Sequence, residues 1–199
     1  MAKFKPIARK VGTKSPHKTV LIVCEGARTE PDYFESFRLS KVVKTVGTGT
    51  NTLSLVREAV MLSQDKGYDE VWCVFDRESF PRANVTAAFK LMKQEKFKAA
   101  FSNEAFALWY VLHFQYLDTE NTRAQYCEML SRAMGRKYEK NNPGMYDLLL
   151  DRQDKAIQYA KKLDKLMPLT AGNEADCKPT TSVYKLVERL NQLAKKYKT

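Results

Sequence analysis

Residues 18–37 read KTVLIVCEGARTEPDYFESF, and this stretch decides the fold. Lys18–Cys24 is a compact β-branched run closed by Glu25-Gly26. It predicts a strand buried on both faces, because a half-buried strand would alternate apolar with polar residues. The chain then enters ARTEPDYFESFRLSK, where Thr29 is placed to cap a helix, Pro31 fits its first turn and Asp32 completes a weak capping box. A strand is followed at once by a helix.

The pattern repeats outward from there. Lys41–Val46 predicts a second strand, GTGTN at 47–51 a turn, and Thr52–Lys66 a helix with Leu53, Val56 and Val60 at near-helical spacing. Asp69–Phe75 (DEVWCVF) is the clearest strand of the chain. Val85–Lys96 puts Val85, Ala88, Phe89 and Met92 on one helix face, Phe97–Phe101 predicts a fourth strand, and Glu104–Phe114 a largely apolar helix. Alternation of this kind implies an α/β fold, a sheet of about four mainly parallel strands with helices on both faces. After Asp118 the signals are helical only, at Thr122–Met134, Met145–Leu150, Asp151–Met167 and Thr180–Tyr197, and Pro168–Pro179 carries turn formers without periodicity. The expected organisation is a basic arm over 1–17, an α/β domain over 18–117 and a helical C-terminal extension over 118–199.

Composition narrows the function classes. The 199 residues are 44% hydrophobic and 29% charged with 8 Gly and 7 Pro, a globular balance. No segment approaches the roughly 18–20 apolar residues of a membrane span, so no membrane role is expected. The N-terminus lacks the apolar core of a secretory signal, and cytoplasmic residence is the expectation. Cys24, Cys73, Cys127 and Cys177 lie about fifty residues apart with no CxxC or Cys/His spacing, which argues against disulfides and zinc.

The formal charge is +11, but residues 1–18 hold six Lys/Arg and no acid, and residues 194–199 three Lys and no acid. The rest of the chain has 25 basic against 23 acidic residues. Basic tails attract polyanions without sequence preference, and they also simply solubilise.

Parallel strands deliver their carboxyl ends to one sheet edge, where ligands of such folds bind. The first strand ends at Glu25, the third at Asp76 followed by Glu78, and the fourth at Asn103 and Glu104. Carboxylates gathered without a counterion repel one another, so the cluster points to a divalent cation, and oxygen-only donors favour Mg²⁺ or Mn²⁺. Such a cation would polarise a phosphodiester while Glu25 acts as general acid or base. The structural alternative treats Glu25 as the start of a tight turn and Asp76-Arg77-Glu78 as a solvated loop.

VLIVCEGARTEPDYFESF, VWCVFDRESF, SNEAFALWYVLHFQY, KYEKN, LLLDRQDKAIQYAKKL and KPTTSVYKLVERL, taken in order, resemble proteins of the RloB family, over roughly residues 18–193. The resemblance implies a Toprim-like fold. It makes Glu25 the acid/base and matches the family's Asp-x-Asp metal motif to Asp76 and Glu78, the latter reaching about 1.5 Å further by one methylene. Glu30 is typical of the family, and in a purely structural role would sit in a first helical turn favoured by the dipole. One position departs. Relatives carry a carboxylate where this chain has Ala107, so a site acid has been lost in this member or removed by substitution, and Glu104, three residues earlier, is the candidate substitute.

Among the cations, Lys137 and Lys140, with Arg123 and Arg152, are candidates for phosphate contact, as Tyr138 is beside them; a solvated helix face explains them equally. His113 reads as a helix-end histidine, His17 has no partner in view, and Trp72 and Trp109 read as core. Two function classes follow. The first is a Mg²⁺- or Mn²⁺-dependent nuclease acting on DNA or RNA, tRNA included, which the resemblance places in bacterial anti-phage defence beside a separate ABC/SMC-like ATPase. The chain carries no GxxxxGK[ST] pattern of its own. The second is a binding or assembly module with an impaired site, its helical third docked on that ATPase. A small-molecule phosphotransferase is a distant third, since GTGTN is too short a phosphate cradle. A homo-oligomer is compatible with all three.

Overall fold

The structure is a computed structural model that describes residues 18–77 and 80–197. The basic arm 1–17 with His17, and the candidate ligand Glu78, lie outside the described residues.

Strand β1 (Val20–Cys24) is followed by helix α1 (Thr29–Glu35), strand β2 (Val43–Gly47), α2 (Thr52–Lys66), β3 (Glu70–Asp76), α3 (Arg82–Glu95) and β4 (Lys98–Asn103). Then come α4 (Ala107–Val111), α5 (Arg123–Met134), α6 (Met145–Leu149), a 3₁₀ turn (Leu150–Arg152), α7 (Gln153–Leu166), β5 (Thr180–Thr181) and α8 (Val183–Tyr197). The sheet order is β2-β1-β3-β4-β5, with the first four strands parallel and β5 antiparallel to β4. The Toprim-like α/β arrangement is therefore present, with one more strand than expected.

Every residue of β1 is fully buried, because both sheet faces are covered. Val20, Ile22 and Cys24, with Trp72, Val74 and Ala100, pack against α1 and α4–α8. Leu21 and Val23, with Val71, Cys73, Phe75 and Phe101, pack against α2 and α3. The alternation is the period-two pleat of the strand. Each such Val or Leu removed from water contributes about 1.5–3 kcal/mol, which is why a run of branched apolar residues becomes the central strand.

Helix ends follow local chemistry. Asn51 caps α2 by accepting the Ser54 N–H, and Gly67 closes it at φ +62°. Thr122 and Gln125 form a reciprocal capping box at the start of α5. At α1 the expected cap is replaced: Arg28 occupies the N-cap position without a side-chain bond, and Thr29 is already helical. Its hydroxyl instead donates to Asn141 Oδ1 at 2.6 Å, tying α1 to the 135–144 loop.

Other boundaries moved for tertiary reasons. The helix expected over Glu104–Phe114 is regular only at Ala107–Val111, flanked by tighter turns such as Leu108 N–H to Ala105 O and Trp109 N–H to Phe106 O. Thr180–Thr181, expected as helix, pairs with β4 through Ser102↔Thr181 and Asn103↔Thr180. The Ser102 and Thr181 hydroxyls meet at 3.0 Å. A two-residue strand has no period to read.

Tyr33 of α1 makes ring contacts with Phe106 (5.9 Å), Tyr110 (5.7 Å) and Tyr146 (5.5 Å), locking α1 to α4 and α6. Trp72 and Trp109 are core residues as expected. All four cysteines are free. Among the described residues no helix is long and apolar enough to cross a membrane.

Candidate active site

The chain leaves β1 toward β2 on one side and returns across the sheet to β3 on the other. The connections diverge between the carboxyl ends of β1 and β3, and that divergence opens a crevice. Glu25 directly follows β1 and Asp76 ends β3. The Glu25 N–H donates to Val74 O at 2.9 Å, and the Asp76 N–H donates to Glu25 Oε2 at 3.0 Å. The two acids therefore meet at the crevice.

Glu30, in the first turn of α1, is buried beside them. Gly26 permits this, since any side chain there would run into the Glu30 carboxylate. Gly47, at the end of β2, works similarly: a Cβ would approach Gly26 O to 2.7 Å, so the 25–27 turn can lie flat on β2.

Two connected cavities result. The outer one, about 350 Å³, is walled by Glu25, Gly26, Glu30, Asp76, Phe80, Lys140 and the Gly49–Asn51 turn. The inner recess, about 30 Å³ and water-sized, is lined by Thr29, Glu30, Asp76, Ala105, Phe106, Ala107, Arg123, Cys127, Tyr138 and Lys140. Glu30, Asp76 and Lys140 belong to both. Burial, with Cys127 and the carboxylates of Glu30 and Asp76 adding to it against Arg123, pushes the Tyr138 phenol up to about 12, so it stays a neutral hydrogen-bonding group.

The crevice thus unites Glu25, Glu30, Asp76, Ala107, Arg123, Tyr138 and Lys140. It does not take in the others. Asn103 is turned to the 168–179 loop, donating to Ala175 O at 3.3 Å and Cys177 O at 3.0 Å. Glu104 is held by Lys178 Nζ at 2.7 Å and by the Arg123 N–H at 3.4 Å. Burial alone would raise its pKa, but those partners outweigh it and keep the carboxyl below the usual range. Glu104 borders neither cavity.

Lys137 lies in an adjoining groove with Glu128, Ser131 and Arg132; the groove shares Cys127 and Tyr138 with the recess. Arg152 is remote from the crevice, with its guanidinium 5.0 Å above the Phe114 ring. His113 is a core residue bonded to Trp109 O at 2.9 Å. Phe80, Cys127 and the Gly49–Asn51 turn were not read as site residues. The available signal for the turn was its place after β2, which parallel order puts on the same edge.

The donor set can be tested against a divalent cation. Among the described residues no three His, Cys, Asp or Glu side chains are grouped closely enough to cage an ion. Two carboxylate residues on the wall of one open cavity nevertheless suit Mg²⁺, which keeps several waters and takes one or two protein carboxylates plus substrate phosphate oxygens. Glu25 and Asp76 are the residues that would hold it.

Comparison with known sequences agrees with this architecture. No curated protein and no solved structure matches significantly. A family model described as RloB-like protein matches residues 20–190, a span that runs from the first residue of β1 into α8 and takes in the whole crevice. The chain belongs to the RloB-like protein family.

Proposed function

We propose that this protein is a divalent-metal-dependent nuclease of the Toprim type, cleaving phosphodiester bonds in nucleic acid. The observation that supports this best is the Asp76 N–H to Glu25 Oε2 bond of 3.0 Å, which sets the Glu25 carboxylate against the end of β3, where Asp76 lies and the sheet opens. A bound Mg²⁺ or Mn²⁺ would supply Lewis acidity toward a phosphoryl oxygen and a more acidic water. Glu25 takes the proton of the attacking water or returns one to the leaving oxygen. Lys140 at the mouth and Arg123 in the recess bind the scissile phosphate and offset its negative charge. Buried Glu30 lines both cavities beside this set.

The family resemblance supports a role as effector in bacterial anti-phage defence, acting with a separately encoded ABC/SMC-like ATPase, in the cytoplasm. tRNA or other structured RNA is the substrate class to examine first.

A second reading has its own observation. Ala107 places a methyl group in the recess beside Glu30 and Asp76, where the family resemblance implies a carboxylate. On that reading the chain is an impaired Toprim-like module that docks on the ATPase without cutting.

Labelled DNA and total tRNA incubated with Mg²⁺ or Mn²⁺ separate the two. The nuclease reading expects cleavage by the native chain or by Ala107→Glu, and a loss of about 10²-fold or more in Glu25→Gln. Failure of both the native and the Ala107→Glu chains to cut, alone or with the ATPase, would defeat it.

A further inference from the structure

Arg152, expected at the phosphate-binding site, belongs to a different cluster. Its guanidinium lies over Phe114 at 5.0 Å, Lys155 Nζ over Tyr159 at 5.6 Å, and Lys162 Nζ over Tyr116 at 4.0 Å. Tyr116 and Tyr159 contact each other at 5.6 Å and join two of the pairs, while Arg152 and Phe114 adjoin them along the chain, in the 3₁₀ turn before α7 and the segment after α4. The cations are exposed and the rings half-buried.

What distinguishes this patch is how its charge is balanced. Elsewhere, Lys98 and Lys185 also sit over rings, but each is neutralised by a carboxylate, Glu70 at 2.9 Å and Asp164 at 3.1 Å, and a further cation, Lys196, lies over Tyr197 at 5.1 Å in the last turn of α8. Arg152, Lys155 and Lys162 belong to none of the ion pairs found among the described residues. Each is positioned by a ring face, which restrains the cation while leaving its N–H donors toward solvent. Residues 155, 159 and 162 share one face of α7, and Arg152 ends the 3₁₀ turn that leads into it; Asp151, four residues before Lys155, and Asp118, beside Tyr116, border the patch but form no ion pair with its cations.

From these observations we infer that the patch is a second nucleic-acid contact, binding the phosphate backbone away from the crevice. The inference rests on the nucleic-acid reading of the crevice and adds where the rest of the polymer is held. Charge complementarity selects the partner: three pre-positioned cations that belong to none of the ion pairs found among the described residues, spread over about 15 Å of chain, match a strand that presents a phosphate roughly every 3.4 Å of duplex rise. The ring faces are already covered by the cations, so the contact is with phosphate rather than by base stacking, and it is indifferent to sequence.

The test is fluorescence anisotropy of the full chain with a labelled RNA hairpin and a DNA duplex across a salt series, with polyglutamate as competitor. Arg152→Gln/Lys155→Gln/Lys162→Gln is compared with Lys155→Arg/Lys162→Arg, and circular dichroism verifies that both fold. The expected result is a loss of about tenfold or more in affinity at ~100 mM salt for the Gln variant. Its slope of log K against log salt should flatten by about 2–3, while the Arg variant stays near native. Unchanged affinity and slope in the Gln variant, with the native chain binding well, overturn the patch and leave the crevice reading intact. Polyglutamate displacing RNA from the native chain but not from the Gln variant marks the patch as a site for acidic protein, which also overturns it. If the native chain binds no nucleic acid at low salt, the reading of the crevice falls first and the patch with it.

Discussion

Gly26 and Glu30 fit together only because the first has no side chain: a Cβ at position 26 would lie 1.9 Å from Glu30 Oε2. The carboxylate is the far end of a flexible side chain, so in Gly26→Ala it gives way and the backbone stays. Thermal stability is expected to drop by about 1 kcal/mol or less, while cleavage, read in whichever of the native and Ala107→Glu chains cuts, falls about 10–100-fold. The same Gly26→Ala change in a Glu30→Ala background should cost nothing more, because the collision partner is gone. An equal loss in both backgrounds would show that residue 26 acts by another route.

Much of this crevice was legible in the letters, for a physical reason. Strands buried on both faces leave an unbroken apolar run, so β1 and β3 could be read with their ends nearly right, and parallel order then puts Glu25 and Asp76 on one edge. Lys140 and Arg123 could be recognised only as cations, because their arrival in the crevice depends on how the 135–144 loop and α5 fold back, a long-range event with no local signature. Asn103 and Glu104 misled for the same reason. They sit at a strand end like Glu25, but the 168–179 loop and β5 cover that end and claim both side chains.

The buried imidazole of His113 makes stability depend on pH. Burial above all, with the charge of Arg152 adding to it, pushes its pKa down to about 4 from the ordinary 6.5, against hydrogen bonds to Trp109 and Tyr110. Between those values the unfolded chain binds a proton that the folded chain refuses. Stability from this residue is therefore complete above about pH 7 and is lost as pH falls toward 4, by roughly 2–3 kcal/mol in all. Urea titrations at pH 7 and 4.5 on native and His113→Gln chains measure it. The native chain should lose more than the variant, and parallel losses would refute the assignment.

Asn103 separates an anchoring role from a chemical one. Its amide nitrogen serves two carbonyls, Ala175 O and Cys177 O, in a buried setting. Asn103→Ala should cost about 1–3 kcal/mol by stranding them, and it should expose the 168–179 loop to proteolysis. Metal binding, followed by Mn²⁺ electron paramagnetic resonance, should remain within about twofold of native, since the side chain does not face the crevice. A tenfold weaker Mn²⁺ signal with unchanged stability would return Asn103 to the site.

Ala107→Glu places a carboxylate in a recess already bordered by Glu30 and Asp76, with Arg123 and Lys140 as its lining cations among the described residues. A water-sized space of about 30 Å³ cannot accept the longer side chain unless it reaches toward the open outer cavity, where Glu25 and Asp76 meet. With chelator present, three or more carboxylates converge against two cationic side chains, and the excess repulsion should lower Tm by a few degrees relative to native. Added Mg²⁺ or Mn²⁺ offsets the excess negative charge, and its binding stabilises the folded chain by mass action. The metal-induced rise in Tm should therefore be larger in Ala107→Glu than in the native chain, and it should shrink again when Glu25→Gln is added. Equal rises in the two chains would mean that position 107 does not reach the ion, and any activity gained by Ala107→Glu would then come from a carboxylate acting on the substrate or on its attacking water.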